Sequence, residues 1–447
     1  MTSPIEMQLF PFDPADAGAA LAQLPISSAV FALYSAEAHS EPYIGRTPNL
    51  RGRLGRLLQP SPRHPRRLQL AGRVRRIEWR LTGSEFESLF LQFELLQSEY
   101  GTKSLERMHL RAPAFVRFLG GNPYPRIVVT HRPSQREVDW AYGPFQSRAA
   151  AERFAEEALK LFLLRRCTDD LNPDPSHPGC VYSEMKMCLA PCYRGCTDER
   201  YAEEAAAVEQ FLSTRGDSRL VTLRSERERA SANLEFESAA AIHAQVQRVE
   251  AVRALAPELV RPLSQLRAVI LQASANPNEV AVFLFENGRL RGPAGFSTAG
   301  MRIQNEQPGV SSLIADRAVI APVSEAPLQE ALSLDAALPE AAADTGLAAP
   351  AKLPRGLLEA RMEAALAALA EPKQALSPTI RQGHLALLKR WYYRPEARRT
   401  GEIFFPGAEG RWPIKALLRG VGRVAAKMPA TDGHTGEADR SKEAPES

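Results

Sequence analysis

Apolar and polar positions along this chain follow two rhythms, and the changes between them mark its elements. Residues 30–34 form a short apolar run and Tyr43-Ile44-Gly45 lies in a second, with a polar turn between them; both are predicted strands. Pro48 and Asn49 then open a helix to about residue 58, and residues 77–81 predict a third strand. From Ser84 to about Tyr100, apolar residues recur at 86, 89, 90, 93 and 96, the spacing of one helical face. Ser84 is the expected N-cap, with Glu87 three positions later completing a capping box. The Pro- and Gly-marked stretch GGNPYPRIVV leads to a strand near Val128, and a helix is predicted from Ser147 to Arg165. Residues 198–215 predict a helix, 218–253 a helical hairpin, and 280–285 with 290–296 a strand pair. An Ala-, Pro- and Glu-rich stretch at 326–354 is expected to be a linker. Two more helices follow at 355–371 and 378–393, and the polar tail 428–447 is expected to be disordered.

Composition refines this picture. At 447 residues, 44% hydrophobic and 24% charged, the chain is an ordinary globular protein of about two to four domains. No apolar run approaches the ~18 residues of a membrane span. The first residues, MTSPIEMQLFPFDP, lack the basic flank and apolar core of a secretory signal. A cytoplasmic protein with no membrane partner is the expectation.

The formal net charge of +4 says little, but its distribution says more. Eleven arginines fall between Arg46 and Arg80 against one acid, Glu78. Such a block repels itself unless an anion lies nearby, and a phosphate backbone is the usual one; a solvated face is the plainer alternative. Arg51, Arg56, Arg66 and Arg67 are the candidate DNA contacts. All five cysteines fall between Cys167 and Cys196. Clustering of this kind points to a metal centre rather than a disulfide framework. The spacing C-x12-C-x7-C-x3-C over Cys167, Cys180, Cys188 and Cys192 suits four thiolates on an iron–sulfur cluster or zinc.

Three stretches carry a resemblance to one family. Tyr43-Ile44-Gly45-Arg46, followed by Asn49-Leu50-Arg51-Gly52-Arg53-Leu54, resembles the YIG half of a GIY-YIG nuclease. Tyr142-Gly143-Pro144-Phe145, Arg166-Cys167, Pro178-Gly179-Cys180 and Cys188-Leu189-Ala190-Pro191-Cys192 resemble the cysteine segment of the UvrC/Cho-like excinucleases. Residues 223–252, with LEFESAAAIHAQV, resemble the UVR motif, and His243 stands where an arginine is usual. The chain is thus similar to the N-terminal half of a UvrC-type excinuclease over roughly residues 27–300.

The resemblance implies an α/β (α+β) fold with a small mixed sheet flanked by helices. Its parts would be a nuclease-like domain at 27–105 and an iron–sulfur module at 120–197. A helical region with the UVR motif at 198–255 and divergent RNase H-like strands at 262–325 would follow. Then come the linker and a helical C-terminal region at 355–427. It implies that Glu87 holds one Mg2+ or Mn2+, that Tyr43 orients water, and that Arg46 and Arg53 stabilise phosphate charge, as phosphodiester hydrolysis requires. It also implies a 4Fe–4S cluster on the four cysteines, with zinc as the alternative. The partners would be damaged double-stranded DNA and a UvrB-like protein, docked on a stripe of Phe236, Ala239, Ala240, Ile242 and Val246.

The chain also departs from the family. The GIY position falls on Ala29-Val30-Phe31, with Tyr34 at the later tyrosine, and a phenyl ring cannot shuttle a proton. Arg46 replaces a lysine, the PxYN motif is replaced by Gly101-Thr102-Lys103-Ser104, and no acidic triad follows residue 300. A 5′-incising nuclease is therefore not expected. Two functions stay open: a metal-dependent endonuclease, and a silent adapter that binds DNA and UvrB.

Overall fold

The computed structural model describes residues 6–37, 40–59, 70, 72–133, 140–168, 171–301, 353–370, 376–407 and 409–428. The fold is mixed α/β, built on three four-stranded sheets.

The first sheet has the order β1-β4-β2-β3. It contains β1 (Gln8–Pro11), β2 (Ala29–Ser35), β3 (Tyr43–Thr47) and β4 (Val74–Leu81), with α1 (Ala17–Ala22) and α2 (Leu50–Leu58) between them. Every pairing is antiparallel, where a mixed sheet was expected. The unit also begins before residue 27, because β1 pairs along β4. β2 reads as a continuous apolar run because helices cover both its faces, so residues 29–33 are all buried. Phe31 and Leu33 pack with Leu50, Leu54 and Leu57 of α2, whereas Val30 packs on the opposite side with α3 (Glu85–Tyr100). Asn49 caps α2, its Oδ1 accepting the Gly52 N–H at 2.8 Å.

The short α4 (Ser104–Arg107) leads into a second sheet, of order β6-β5-β7-β8. Its strands are β5 (Ala114–Phe118), β6 (Ile127–Thr130), β7 (Ala141–Phe145) and the late-arriving β8 (Arg261–Pro262). Between β7 and β8 lie α5 (Arg148–Leu159), α6 (Val181–Glu184), α7 (Asp198–Ser213), α8 (Asp217–Ala232) and α9 (Phe236–Ala254). Phe145, Phe154, Phe162, Tyr201, Phe211 and Val246 belong to one core, so the cysteine module and the helical hairpin share a single interior. α5 stops at Leu159, six residues before the expected end. Side chains of α7 have claimed the backbone donors that would continue it. Leu163 N–H donates to Glu204 Oε1 at 2.7 Å and Arg165 N–H to the Tyr201 hydroxyl at 3.2 Å.

The third sheet, of order β11-β10-β9-β12, joins regions expected to be separate. β9 (Ala268–Ala273), β10 (Glu279–Glu286) and β11 (Arg289–Ser297) are followed by α10 (Arg355–Leu369) and α11 (Pro378–Tyr392). β12 (Glu402–Phe404) then returns to pair with β9, Ile403 opposite Ile270, before α12 (Ile414–Ala426) closes the described chain. α10 and α12 cover one face through Met362, Leu417 and Val421. α11 and α3 cover the other, so α3 is sandwiched between the first and third sheets. The Phe86 ring stands edge-on to Phe283 at 5.1 Å and 5.4 Å from Trp391. Pairs of this kind add about 0.5–1.5 kcal/mol beyond their burial. Most of the expected linker, residues 326–352, and the tail from 429 lie outside the described residues. No helix among the described residues is long and apolar enough to cross a membrane.

Candidate functional site

The nuclease-like constellation splits across the first sheet. Strand alternation sends Tyr43 and Gly45 to the α2 side, where the Tyr43 hydroxyl accepts from Arg53 Nη2 at 3.2 Å. Phe31 lies opposite Gly45 in the register and is fully buried. A Cβ at position 45 would stand 2.8 Å from the Phe31 ring tip, so the glycine is what admits the ring. Arg46 points to the other side, opposite Val30, and meets Glu85 on α3 at 3.7 Å. Tyr34 also lies away from the Tyr43–Arg53 pair, with the Arg76 guanidinium 4.1 Å over its ring.

Glu87 is on the α3 side as well, at the turn after β4, and is 4% exposed. Its N–H donates to Ser84 Oγ at 3.1 Å, as the expected cap requires. Its carboxylate accepts from Gly83 N–H at 2.9 Å, one residue further out than a capping box would place it. Burial pushes the Glu87 carboxyl above its ordinary range, while the Gly83 N–H and the Arg80 charge oppose that shift. The structure therefore brings Tyr43 and Arg53 together and sets Glu87 apart from them, capping a helix.

A different carboxylate carries the electrostatics of this region. Arg394, just past α11, grips both oxygens of Glu85 at 2.7 and 2.8 Å. That hydrogen bond, with the charges of Arg394, Arg46 and Arg390, holds the Glu85 carboxyl below the usual carboxylate range. Glu94, two turns along the helix, is bonded to His384 of α11 at 2.8 Å. His384 is fully buried, and its Nδ1 accepts the Leu290 N–H at 3.1 Å. Nε2 must therefore carry the proton it offers to Glu94. Sequence reading missed Arg394, Arg390 and His384, because partners 290 or more positions apart leave no local signal. Of the candidate DNA contacts, Arg56 is exposed on α2, whereas Arg51 Nε is engaged with the Leu24 carbonyl at 2.6 Å. Arg66 and Arg67 lie outside the described residues.

The four cysteines come from the loops between α5 and α7. Each is partly buried, and Cys180 stands at the N-cap of α6. Burial, then the neighbouring Cys167, Cys180 and Cys192 thiols, push the Cys188 thiol up to about 11. Their surroundings donate to sulfur: Ala190 N–H to Cys188 Sγ at 3.3 Å, and the buried Arg165 to Cys167 Sγ at 3.6 Å. A set of four thiols with N–H···S donors fits a thiolate-held centre. Among the described residues, no three His, Cys, Asp or Glu side chains close on one ion-sized point.

In the hairpin, α8 and α9 are tied by Arg224 to Glu250 at 2.8 Å and by Arg253 to Asp217 at 3.0 Å. The expected stripe divides along its length. At the tip, Leu234 and Phe236 are 72% and 67% exposed, and Ala240 is exposed beside them. Ala239 and Ile242 are half-buried, Ile242 against the hairpin's own core. Val246, with Val249 and Val252, is buried in that core. Of the stripe, the tip residues Phe236 and Ala240 are the ones left exposed.

Parts of the chain are similar to known proteins. Residues 115–211 match the UvrC/Cho excinuclease middle domain, and residues 217–252 match the UvrB/uvrC motif. The chain is similar to the UvrABC system protein C of Alcanivorax borkumensis, 28% identical over 211 residues, 47% of this chain and 34% of that one. To the namesake from Ruminiclostridium cellulolyticum it is 27% identical over 294 residues, 65% of this chain and 47% of that one. To that of Escherichia coli O1:K1 it is 29% identical over 241 residues, 54% and 39% of the two chains. The chain thus spans between about a third and a half of the length of these relatives. No solved structure matches it.

Proposed function

Because the chain is a UvrC-like family member, by its middle domain and its UVR motif, we propose that it serves nucleotide excision repair as a DNA-binding adapter. In this reading it contacts duplex DNA through arginines of the first unit. It holds a 4Fe–4S cluster, or zinc, on Cys167, Cys180, Cys188 and Cys192. It docks a UvrB-like protein on the exposed tip around Phe236. The observation that carries the adapter reading is the position of Glu87. It is buried, bonded to Gly83 N–H, and on the far side of the sheet from the Tyr43–Arg53 pair. A metal-dependent nuclease needs its carboxylate, its water-activating group and its cations around one phosphate. Phe31 adds to this, since a fully buried phenyl ring offers no proton.

A second reading, a single-nick endonuclease using Mg2+ or Mn2+, is favoured by the Tyr43–Arg53 hydrogen bond, which sets a phenol beside a guanidinium. A nicking assay on damaged duplex, with either metal and with UvrB present, separates the two. The adapter binds and leaves the strands intact. Nicks that disappear in Glu87→Gln establish the endonuclease instead.

A further inference from the structure

The group of charges around Glu85 is larger than an ion pair between two units needs. Arg394 already satisfies both carboxylate oxygens. Arg46 approaches from β3, and Arg390, exposed one turn before Arg394, brings a third guanidinium whose field reaches Glu85 and Arg46. One carboxylate among three arginines leaves a formal surplus of two positive charges. The side chains of Arg46, Glu85 and Arg394 are 32%, 41% and 24% exposed, so the group faces solvent without being dispersed in it. The C-terminal end of α11 attracts cations to this spot, and Arg46 belongs to a different sheet, so the patch exists only when the two units are packed together.

We propose that Arg46, Arg390 and Arg394 form a clamp for the phosphate backbone of double-stranded DNA, with Glu85 as the internal anion that phosphate displaces. This rests on the DNA-binding reading above and extends it to α11, which neither family match reaches. The chemistry follows from the groups. A guanidinium fork that accepts a carboxylate bidentately accepts a phosphate in the same way. An open patch suits a polyanion, whose affinity comes from counterion release rather than enclosure. Glu85 holds Arg394, and at longer range Arg46, in place in the free protein and leaves two of the three positive charges unanswered.

The test is a salt series, from about 0.05 to 0.2 M, of binding by the full chain to a duplex of about thirty base pairs. Arg390→Gln and Arg394→Gln should each weaken binding about five- to tenfold near 0.1 M salt and flatten the log–log salt slope by about one. Arg390→Gln leaves the Arg394–Glu85 bond in place, so its melting temperature should match wild type and separate phosphate contact from folding. Glu85→Gln should bind more tightly than wild type. Inorganic phosphate should compete only at millimolar levels, which distinguishes a backbone clamp from a free-anion site. Unchanged affinity and slope in both arginine variants, or weaker binding by Glu85→Gln, overturns the clamp. A wild-type chain that binds no duplex at all overturns instead the DNA-binding reading on which it rests.

Discussion

Phe236→Ala is the perturbation that most directly probes the division of the hairpin. Phe236 is 67% exposed at the tip, on a helix whose base is locked into the core. A phenylalanine carries roughly 200 Å2 of side-chain surface. Covering the exposed two thirds, about 130 Å2, at about 25 cal/mol per Å2 is worth about 3 kcal/mol. Alanine retains part of that contact, so the expected loss is about 2–3 kcal/mol, or about thirty- to 150-fold in Kd. Isothermal titration calorimetry against a UvrB-like protein reads the affinity, and a thermal melt of the same variant reads the fold. The melt should match wild type, because little of the ring touches its own chain. Val246→Ala is the complementary variant. Val246 is 3% exposed in the shared core, so it should cost about 2 kcal/mol of stability while leaving partner affinity unchanged well below Tm. The reasoning is refuted if Phe236→Ala binds like wild type, or if it melts early and Val246→Ala does not.

Three further outcomes follow from the geometry. Burial holds the Glu87 pKa above its unfolded value, so the folded state binds its proton more readily, and the stability this contributes at low pH is lost as pH rises through the folded pKa. Glu87→Gln should therefore be at least as stable as wild type at pH 7. Its advantage should shrink as pH falls toward the ordinary carboxylate range, measured as urea midpoints across pH; an advantage that grows on acidification contradicts the assignment. Cys192→Ser should lose iron by elemental analysis of anaerobically purified protein, together with the broad visible absorbance expected near ~400 nm for thiolate-ligated iron; a colourless wild type with stoichiometric zinc establishes the alternative metal. His384→Ala should lower stability by about 2–4 kcal/mol, because it opens a buried space and strips partners from Glu94 and the Leu290 N–H. A melt within error of wild type would show that the contact between the two units does not depend on it.

Much of the candidate chemistry was legible in the sequence because it is local. Asn49 and Ser84 cap the helices their positions announced, since a cap involves residues three apart. The tyrosine and arginine of the first motif meet because a strand, a tight turn and a capped helix place positions 43 and 53 side by side. The hairpin was legible because two helices joined by a short turn at 233–235 must lie antiparallel. The partition of its stripe was not. Periodicity shows which residues share a face, and only the neighbours decide which part of that face is already covered.

Tertiary structure decided the rest through contacts between distant residues. The sequence set Glu87 one helical turn from a cap. The packing of α3 between two sheets buried it and placed the first sheet between it and Tyr43. Glu85, to which the sequence pattern assigned no role, is gripped by Arg394 from 309 positions away and feels the charges of Arg46 and Arg390. β12 contains three residues, too few for alternation to announce a strand or its partner. It is a strand because β9 offers it an open edge, and a backbone edge is satisfied by whichever segment the fold delivers to it. Local chemistry is written in spacing, whereas the partners of a buried face are chosen by the whole chain's need to cover it.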